Sequence, residues 1–246
     1  MADKQTGGHN GGALLSGWQA PPRPEKAVMT GRYVQLEPLD VDRHAADLHR
    51  ANSADAKGEI WNYLPYGPFS SVASYHHWMR EATGGSDPHF FALIDRESGR
   101  AGGVASYLRI NPEHGTIEVG HINLAPEMQR SKAATEAMFL MMQWAFEAGY
   151  RRYEWKCDAA NLRSRRAAQR FGFSFEGIFR QAAISKGRNR DTAWFAAIDK
   201  EWPALREAYS AWLSPANFDA NDRQIERLAD LTALVRVSSD PDLPQP

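Results

Sequence analysis

Residues Asn123–Met142 read NLAPEMQRSKAATEAMFLMM. A short apolar piece passes through a proline into a polar loop, Gln129, Arg130, Ser131 and Lys132. The chain then runs through Ala133, Ala134 and Thr135 into plain helix formers. The first turn of a helix carries backbone N–H groups without intrahelical partners. Together with the macrodipole they favour an anion at that end, and small side chains let it approach the backbone closely. The chemistry this predicts for residues 129–135 is the cradling of a phosphate.

Other groupings point to less. His44 and His49 are five apart, off one helical face, and His76 and His77 are adjacent; no third ligand has sensible spacing, so no metal site is expected. Cys157 is the single cysteine, which excludes an intramolecular disulfide and a cysteine zinc cluster. It lies in a predicted strand and reads as packing, since no neighbouring base is evident to activate it. No G-x-x-x-x-G-K-[ST] sequence is present, which excludes a P-loop nucleotide enzyme. Tyr150–Arg190 carries eleven Lys and Arg against three Asp and Glu, with Tyr153, Trp155 and Phe171 interleaved. That pattern raises nucleic-acid binding as a rival function, one whose affinity would fall steeply with salt. A net charge of −1 and the lack of a recognition motif favour a solvated helix face, or a patch attracting a cofactor's phosphates, over a nucleic-acid partner. Tyr63, Tyr66 and Phe69, in WNYLPYGPF, either wall an amine pocket by stacking and cation–π contact or pack onto the core.

These residues need elements to position them. Arg32–Leu39 alternates like a strand, and Asp40–Ser53 reads as a helix with Ala45, Leu48 and Ala51 on one face. A second helix spans about 71–83 and ends at Gly84 and Gly85. His89–Asp95 and Ala101–Ile110 form a hairpin across Arg96–Gly99, and Thr116–Leu124 is the next strand. The helix after the loop runs from about Lys132 to Glu147, where Gly149 signals its end. A strand at 151–158 and a short helix at 161–171 follow. Strands at 173–185 and 191–199 are joined by the turn Lys186–Arg190, and a helix follows at 201–213, with another over 221–235. The order β-α-α-β-β-β-α-β-α-β-β is a mixed α/β arrangement. Residues 1–28 read as a flexible arm docked by Trp18 and prolines, 29–200 as the main domain, and 201–246 as a helical extension with a disordered tail from Val237.

The chain of 246 residues, 43% apolar and 24% charged, has the composition of a soluble globular protein. No apolar run approaches the length of a membrane span, and the N-terminus lacks the pattern of a signal peptide. A cytoplasmic monomer or homodimer is the expectation.

A central strand, a phosphate loop opening a long helix, a strand, and then N-x-x-S before a short helix ending in GF is similar to the plan of the GNAT N-acetyltransferases. Asn161, Ser164, Gly172 and Phe173 supply the second half, and the resemblance covers about residues 30–200. GRYVQLEPL, IEVGHINL, ATEAM and FEGIFRQ most resemble the branch of ribosomal-protein-alanine acetyltransferases, which takes protein N-termini and small amines. The family loop reads Q/R-x-x-G-x-G/A; Gln129 and Ala134 match, and Lys132 stands at the central glycine. Glycine there gives free backbone geometry and close approach. A lysine still presents its N–H if its φ stays negative, and adds an ammonium.

The resemblance implies the GNAT fold: a mixed, mostly antiparallel sheet with a splayed central strand pair and helices on both faces. It implies acetyl-CoA as the cofactor and direct acetyl transfer to a primary amine, on a small molecule or a protein N-terminus. Residues 129–135 would hold the diphosphate. Ile122, Asn123 and Leu124 would meet the pantetheine arm, with the Leu124 amide polarising the thioester carbonyl. Asn161 would bond the pantetheine amides or simply cap its helix. Glu118 would be the base that deprotonates the amine, or a structural glutamate. His121, three residues on, would be a base, a substrate contact or a buried ring. Ser164 would donate a proton to the thiolate, or is a plain hydroxyl in the first turn of its helix. Two family features are absent. The tyrosine four residues beyond Ser164 is Ala168, and the carboxylate after Arg180-Gln181-Ala182 is Ala183. The rival from another class is a non-catalytic acyl-CoA-binding module, which predicts coenzyme A binding without turnover.

Overall fold

The computed structural model describes Gly12 and residues 14–243. Eight strands form one sheet in the order β1-β2-β3-β4-β5-β6-β8-β7. They are β1 (Met29–Thr30), β2 (Val34–Pro38), β3 (His89–Asp95), β4 (Arg100–Asn111), β5 (Thr116–Leu124), β6 (Arg152–Asp158), β7 (Ser174–Ser185) and β8 (Arg188–Ile198). Every neighbouring pair is antiparallel except β5–β6, which is parallel. A parallel neighbour needs a crossover long enough for a helix, and α3 (Lys132–Glu147) supplies it.

Helices cover both faces. On one side α3, α4 (Leu162–Arg170), α5 (Trp202–Leu213) and α6 (Leu228–Ala233) enclose a core rich in Met, Tyr and Phe. On the other, α1 (Val41–Asn52) and α2 (Val72–Ala82) close a smaller, aromatic core with Trp61, Tyr75 and Phe90. Local chemistry sets their starts. Asp40 accepts from the Arg43 amide, Ser71 exchanges a capping box with Ser74, and Ser131 accepts from the Ala134 amide.

Glu136 fixes α3 against the sheet. Its buried carboxylate accepts from the consecutive amides of Arg32, Tyr33 and Val34, at 2.8, 2.5 and 2.9 Å. Gly31 must be glycine for this close approach, because a Cβ there would stand 2.3 Å from the Glu136 carboxyl.

Three expectations need correction, and the docking expected of the arm through Trp18 and prolines is seen. The turn between β7 and β8 is confined to Lys186 and Gly187, both at positive φ, so Arg188–Arg190 are strand; a two-residue turn of this hand lets the ladder run to its tip. The helix over 221–235 shrinks to Leu228–Ala233; before it the chain folds on side chains, with the Asn217 amide group bonding Trp212 O and Glu226 O. Within the arm, Trp18 lies under the Arg151 guanidinium, Arg23 donates to Ile110 O, and Tyr150 donates to Pro22 O; residues 1–11 and 13 lie outside the described residues. The tail is not disordered as far as Leu243. Asp240 is fully buried against Arg165, and Leu243 is buried; residues 244–246 lie outside the described residues.

Candidate active site

The site begins where two strands part. β5 and β6 pair only from Thr116–Arg152 to Val119–Trp155. Beyond that β5 stays with β4 as far as Leu124–Gly103, while β6 stays with β8 to Asp158–Thr192. Opposite Ala105 the β5 strand carries two residues, His121 and Ile122, a bulge with His121 at φ 51°. Bulges bend a strand and re-aim its side chains. The result is a gap in the middle of the sheet, through which one cleft runs from face to face. Glu118, His121, Lys156 and Arg190 line it, as do Ser131–Thr135, Asn161 and Ser164.

On the α3 face the loop 129–131 runs into the start of α3. Arg130 takes the left-handed conformation, φ 58°, whereas Lys132 does not. The strained position is therefore not the one that lost its glycine. Ser131 caps α3 and satisfies the Ala134 amide at 2.9 Å, and Thr135 bonds back to Ser131. Among the described residues the amides of Lys132 and Ala133 have no protein acceptor. Gln129 braces the loop by donating to Leu124 O at 2.9 Å. The Lys132 ammonium turns away, over the rings of Tyr33 and Phe218 at 5.0 and 4.8 Å, and pairs with Asp222. Arg170 lies between Phe171 and Trp212 and donates to Thr135 Oγ1 at 3.2 Å.

Further along the same face Asn161 caps α4, accepting from the Ser164 amide with Oδ1; its side-chain NH₂ stays free of that bond. Ser164 Oγ accepts from the Trp155 indole at 3.0 Å, which leaves the hydroxyl proton to donate elsewhere. Cys157 also lines the cleft, but burial pushes its thiol up to about 11, against an opposing contact with Ser164. It is a neutral thiol at pH 7 and no nucleophile.

Glu118 sits on the opposite face with its carboxyl 3% exposed. Arg109 Nη1 reaches both of its oxygens at 2.8 Å, and Lys156 Nζ lies 3.0 Å away. Lys156 in turn meets Glu154 at 2.7 Å and lies 3.8 Å from the Trp194 ring centroid. Arg152 bonds Glu154 and Glu176, so alternating charges cross four strands. Burial raises the Glu118 carboxyl above its usual range, with Lys156 and Arg109 pulling the other way.

His121 stacks on Tyr66, 5.6 Å between ring centroids, and against Phe90 at 5.1 Å. Burial, aided by the Arg109 charge, pushes its imidazole down to about 4, and its buried Nδ1 has no partner among the described residues. It is therefore neutral at pH 7. The aromatic loop divides. Tyr63 lines the cleft and donates to Ala160 O at 3.2 Å. Tyr66 and Phe69 instead pack with Trp61, Tyr75 and Trp78, behind His121. Ile122 and Leu124 line the cleft beside the gap, while Asn123 points away and is buried, its amide without a partner among the described residues.

Sequence reasoning missed Arg109, Lys156 and Asp222. The alternation in RYEWKCD, polar at Glu154 and Lys156 and apolar between, was the available signal for Lys156. Arg109 and Asp222 reach the site only through tertiary contacts.

The acetyltransferase (GNAT) domain family matches residues 34–174. A crystal structure of a GCN5-related N-acetyltransferase from Brucella melitensis is 47% identical. It superposes with a TM-score of 0.87, over 89% of this chain and 100% of that one. An uncharacterized N-acetyltransferase, p20, from Bacillus licheniformis is 24% identical over 177 residues, 68% of this chain and 99% of its own length. The microcin C7 self-immunity acetyltransferase MccE, crystallised with acetyl-CoA and AMP, shares the fold. Its TM-score is 0.60 at 18% identity, over 68% of this chain and 93% of that one. Among the described residues no helix is long and apolar enough to cross a membrane, and no three His, Cys, Asp or Glu side chains are grouped to hold a metal. With a split central sheet, a helix-capping loop beside the split and matches of this extent, the chain belongs to the GNAT acetyltransferase family and is an N-acetyltransferase.

Proposed function

We propose that the protein transfers acetyl from acetyl-CoA to a primary amine by direct attack, with both substrates held in one cleft. The observation that carries this reading is the through-going gap between β5 and β6, with Ser131–Ala134 and Ser164 on one side and Glu118 on the other. The residues present fit coenzyme A. Unpaired amides at Lys132 and Ala133 suit a diphosphate. The Asn161 NH₂ and the strand edge that β5 presents after Val119 suit the amides of pantetheine. When bound, the cofactor supplies an acetyl thioester.

The chain's own residues then have distinct tasks. Glu118 accepts the proton of the incoming ammonium, directly or through water. Its raised range keeps it a serviceable base while Lys156 and Arg109 hold it in place. The amine nitrogen bonds to the acetyl carbon as the carbon–sulfur bond breaks. Ser164, one of whose lone pairs accepts from Trp155, would donate to the departing thiolate and regain a proton, through water, from the new amide nitrogen as it sheds its second. Holding amine and thioester together supplies much of the acceleration. His121, neutral and stacked, shapes the wall more than it moves protons. Tyr63 lines the cleft and donates to Ala160 O, where it can meet the amine's substituent. Ala183, standing where the ribosomal-protein-alanine branch can place a carboxylate, favours a small amine over a protein N-terminus.

The test is a screen of amines with acetyl-CoA, read as thiol release, alongside Glu118→Gln. Turnover by the wild type, with turnover lost and coenzyme A affinity kept in the variant, supports the assignment. Coenzyme A binding without turnover of any amine would favour the non-catalytic module.

A further inference from the structure

On the amine side of the sheet most charged groups are committed. Arg109 and Lys156 answer Glu118, Glu154 answers Lys156, Asp158 accepts from the Ala160 amide, Arg163 meets Glu59, and Lys186 holds Trp61 O. Arg190 is different. It lines the cleft from β8, and strand alternation puts it on the same face as Thr192 and Trp194, the residue whose ring underlies Lys156. Among the described residues it has no carboxylate within ion-pair reach, and its Nε is buried without an acceptor. The Trp194 indole N–H on that face also lacks one. Buried donors are nearly always satisfied, and a guanidinium fork fits a carboxylate or phosphate in two parallel bonds.

We propose that the acceptor carries an anionic group besides its amine, a carboxylate or a phosphate, and that Arg190 seats it. This rests on the transferase reading above and names its substrate class. The charge of Glu118 is already matched by two cations, whereas Arg190 keeps its charge for a ligand. Amino acids and aminoalkyl phosphates are therefore the better acceptors, ahead of their uncharged counterparts.

The experiment uses the full chain with acetyl-CoA and matched acceptors. These are amino acids against their carboxamides, phosphoethanolamine against ethanolamine, and spermidine. The expected result is a kcat/KM about 10–100-fold higher for the anionic member of at least one pair, the worth of a charged hydrogen bond. Which pair responds tells carboxylate from phosphate. Arg190→Gln should remove most of the preference by raising KM for the anionic member far more than for the neutral one, with Arg190→Lys restoring part of it. Equal rates within every pair, superior spermidine turnover, or an equal loss for both members in Arg190→Gln would overturn the proposal. If coenzyme A binds but no amine is acetylated, the transferase reading falls. Titration of the same compounds into the coenzyme A complex then decides: heat from an anionic amine, lost in Arg190→Gln, upholds the Arg190 site, and no heat sinks it.

Discussion

Lys132, the residue standing where the family loop has glycine, pairs with Asp222 of the C-terminal extension and lies over the rings of Tyr33 and Phe218. The extension thus closes against the loop before α3, with Trp212, Phe218 and Arg223 forming part of the cleft wall. Lys132 keeps its backbone helical and gives its charge to the protein.

The pair sets a balance at the N-terminus of α3. Asp222→Asn frees the ammonium for an incoming diphosphate, and coenzyme A should bind about 2–5-fold tighter, the scale of a partly exposed ion pair. Lys132→Ala leaves an uncompensated carboxylate beside the loop and should weaken binding by a similar factor, while the double variant returns close to wild type. Calorimetric titration with coenzyme A measures all three. Weaker binding in Asp222→Asn would mean that the pair serves only to hold the extension down.

Glu118 offers a pH signature. Its carboxyl is raised by burial and restrained by Lys156 and Arg109. As a base it works ionised, so kcat/KM should fall on the acid side with a midpoint above the ordinary carboxylate range. Lys156→Met removes one restraining cation and should move that limb further toward neutral pH. Glu118→Gln should remove the limb along with most of the activity. It also leaves Arg109 and Lys156 facing each other, at a stability cost of roughly 3 kcal/mol, so coenzyme A binding must be checked as a fold control. A limb that stays put in Lys156→Met would assign it to another group.

Much of this was legible in the chain. Alternation in TIEVGHINL and helix periodicity after Ser131 placed the central strand and its loop, because both depend on local pattern and capping chemistry. The bulge at His121 was not legible, since it arises where β5 loses β6 as a neighbour. Nor was the clamp on Glu118, which needs Arg109 from β4 and Lys156 from β6. The tail misled because VSSDPDLPQP has no apolar period, yet its Asp240 answers a buried arginine 75 residues away.

That arginine gives a stability test. Arg165 and Asp240 are 4% and 0% exposed, and the guanidinium also bonds Asp242 and Ala159 O. Removing one partner of a buried pair strands the other, so Asp240→Ala should cost about 3–5 kcal/mol, read from denaturant midpoints at unchanged slope. Deleting residues after Ser238 should cost at least as much. An unchanged midpoint in both variants would show that the tail contributes nothing to the fold.

Ser164 separates acid catalysis from capping. The α4 cap is made by Asn161 and needs only the Ser164 backbone amide, so Ser164→Ala keeps the helix start. It removes the hydroxyl that accepts from Trp155 and would donate to the thiolate. Stability should fall by about 1 kcal/mol for the lost hydrogen bond. If Ser164 is the donor, kcat should fall about 100-fold or more with little change in KM, the lower end of what a positioned proton donor contributes. The neighbouring Cys157 thiol, held up to about 11 by burial, cannot take over at neutral pH by ionising and should alkylate slowly at pH 8 in both forms. A thioester with a more acidic thiol needs no proton on departure, and should recover most of the rate lost in Ser164→Ala. An equal deficit with that substrate would place the role of Ser164 in binding.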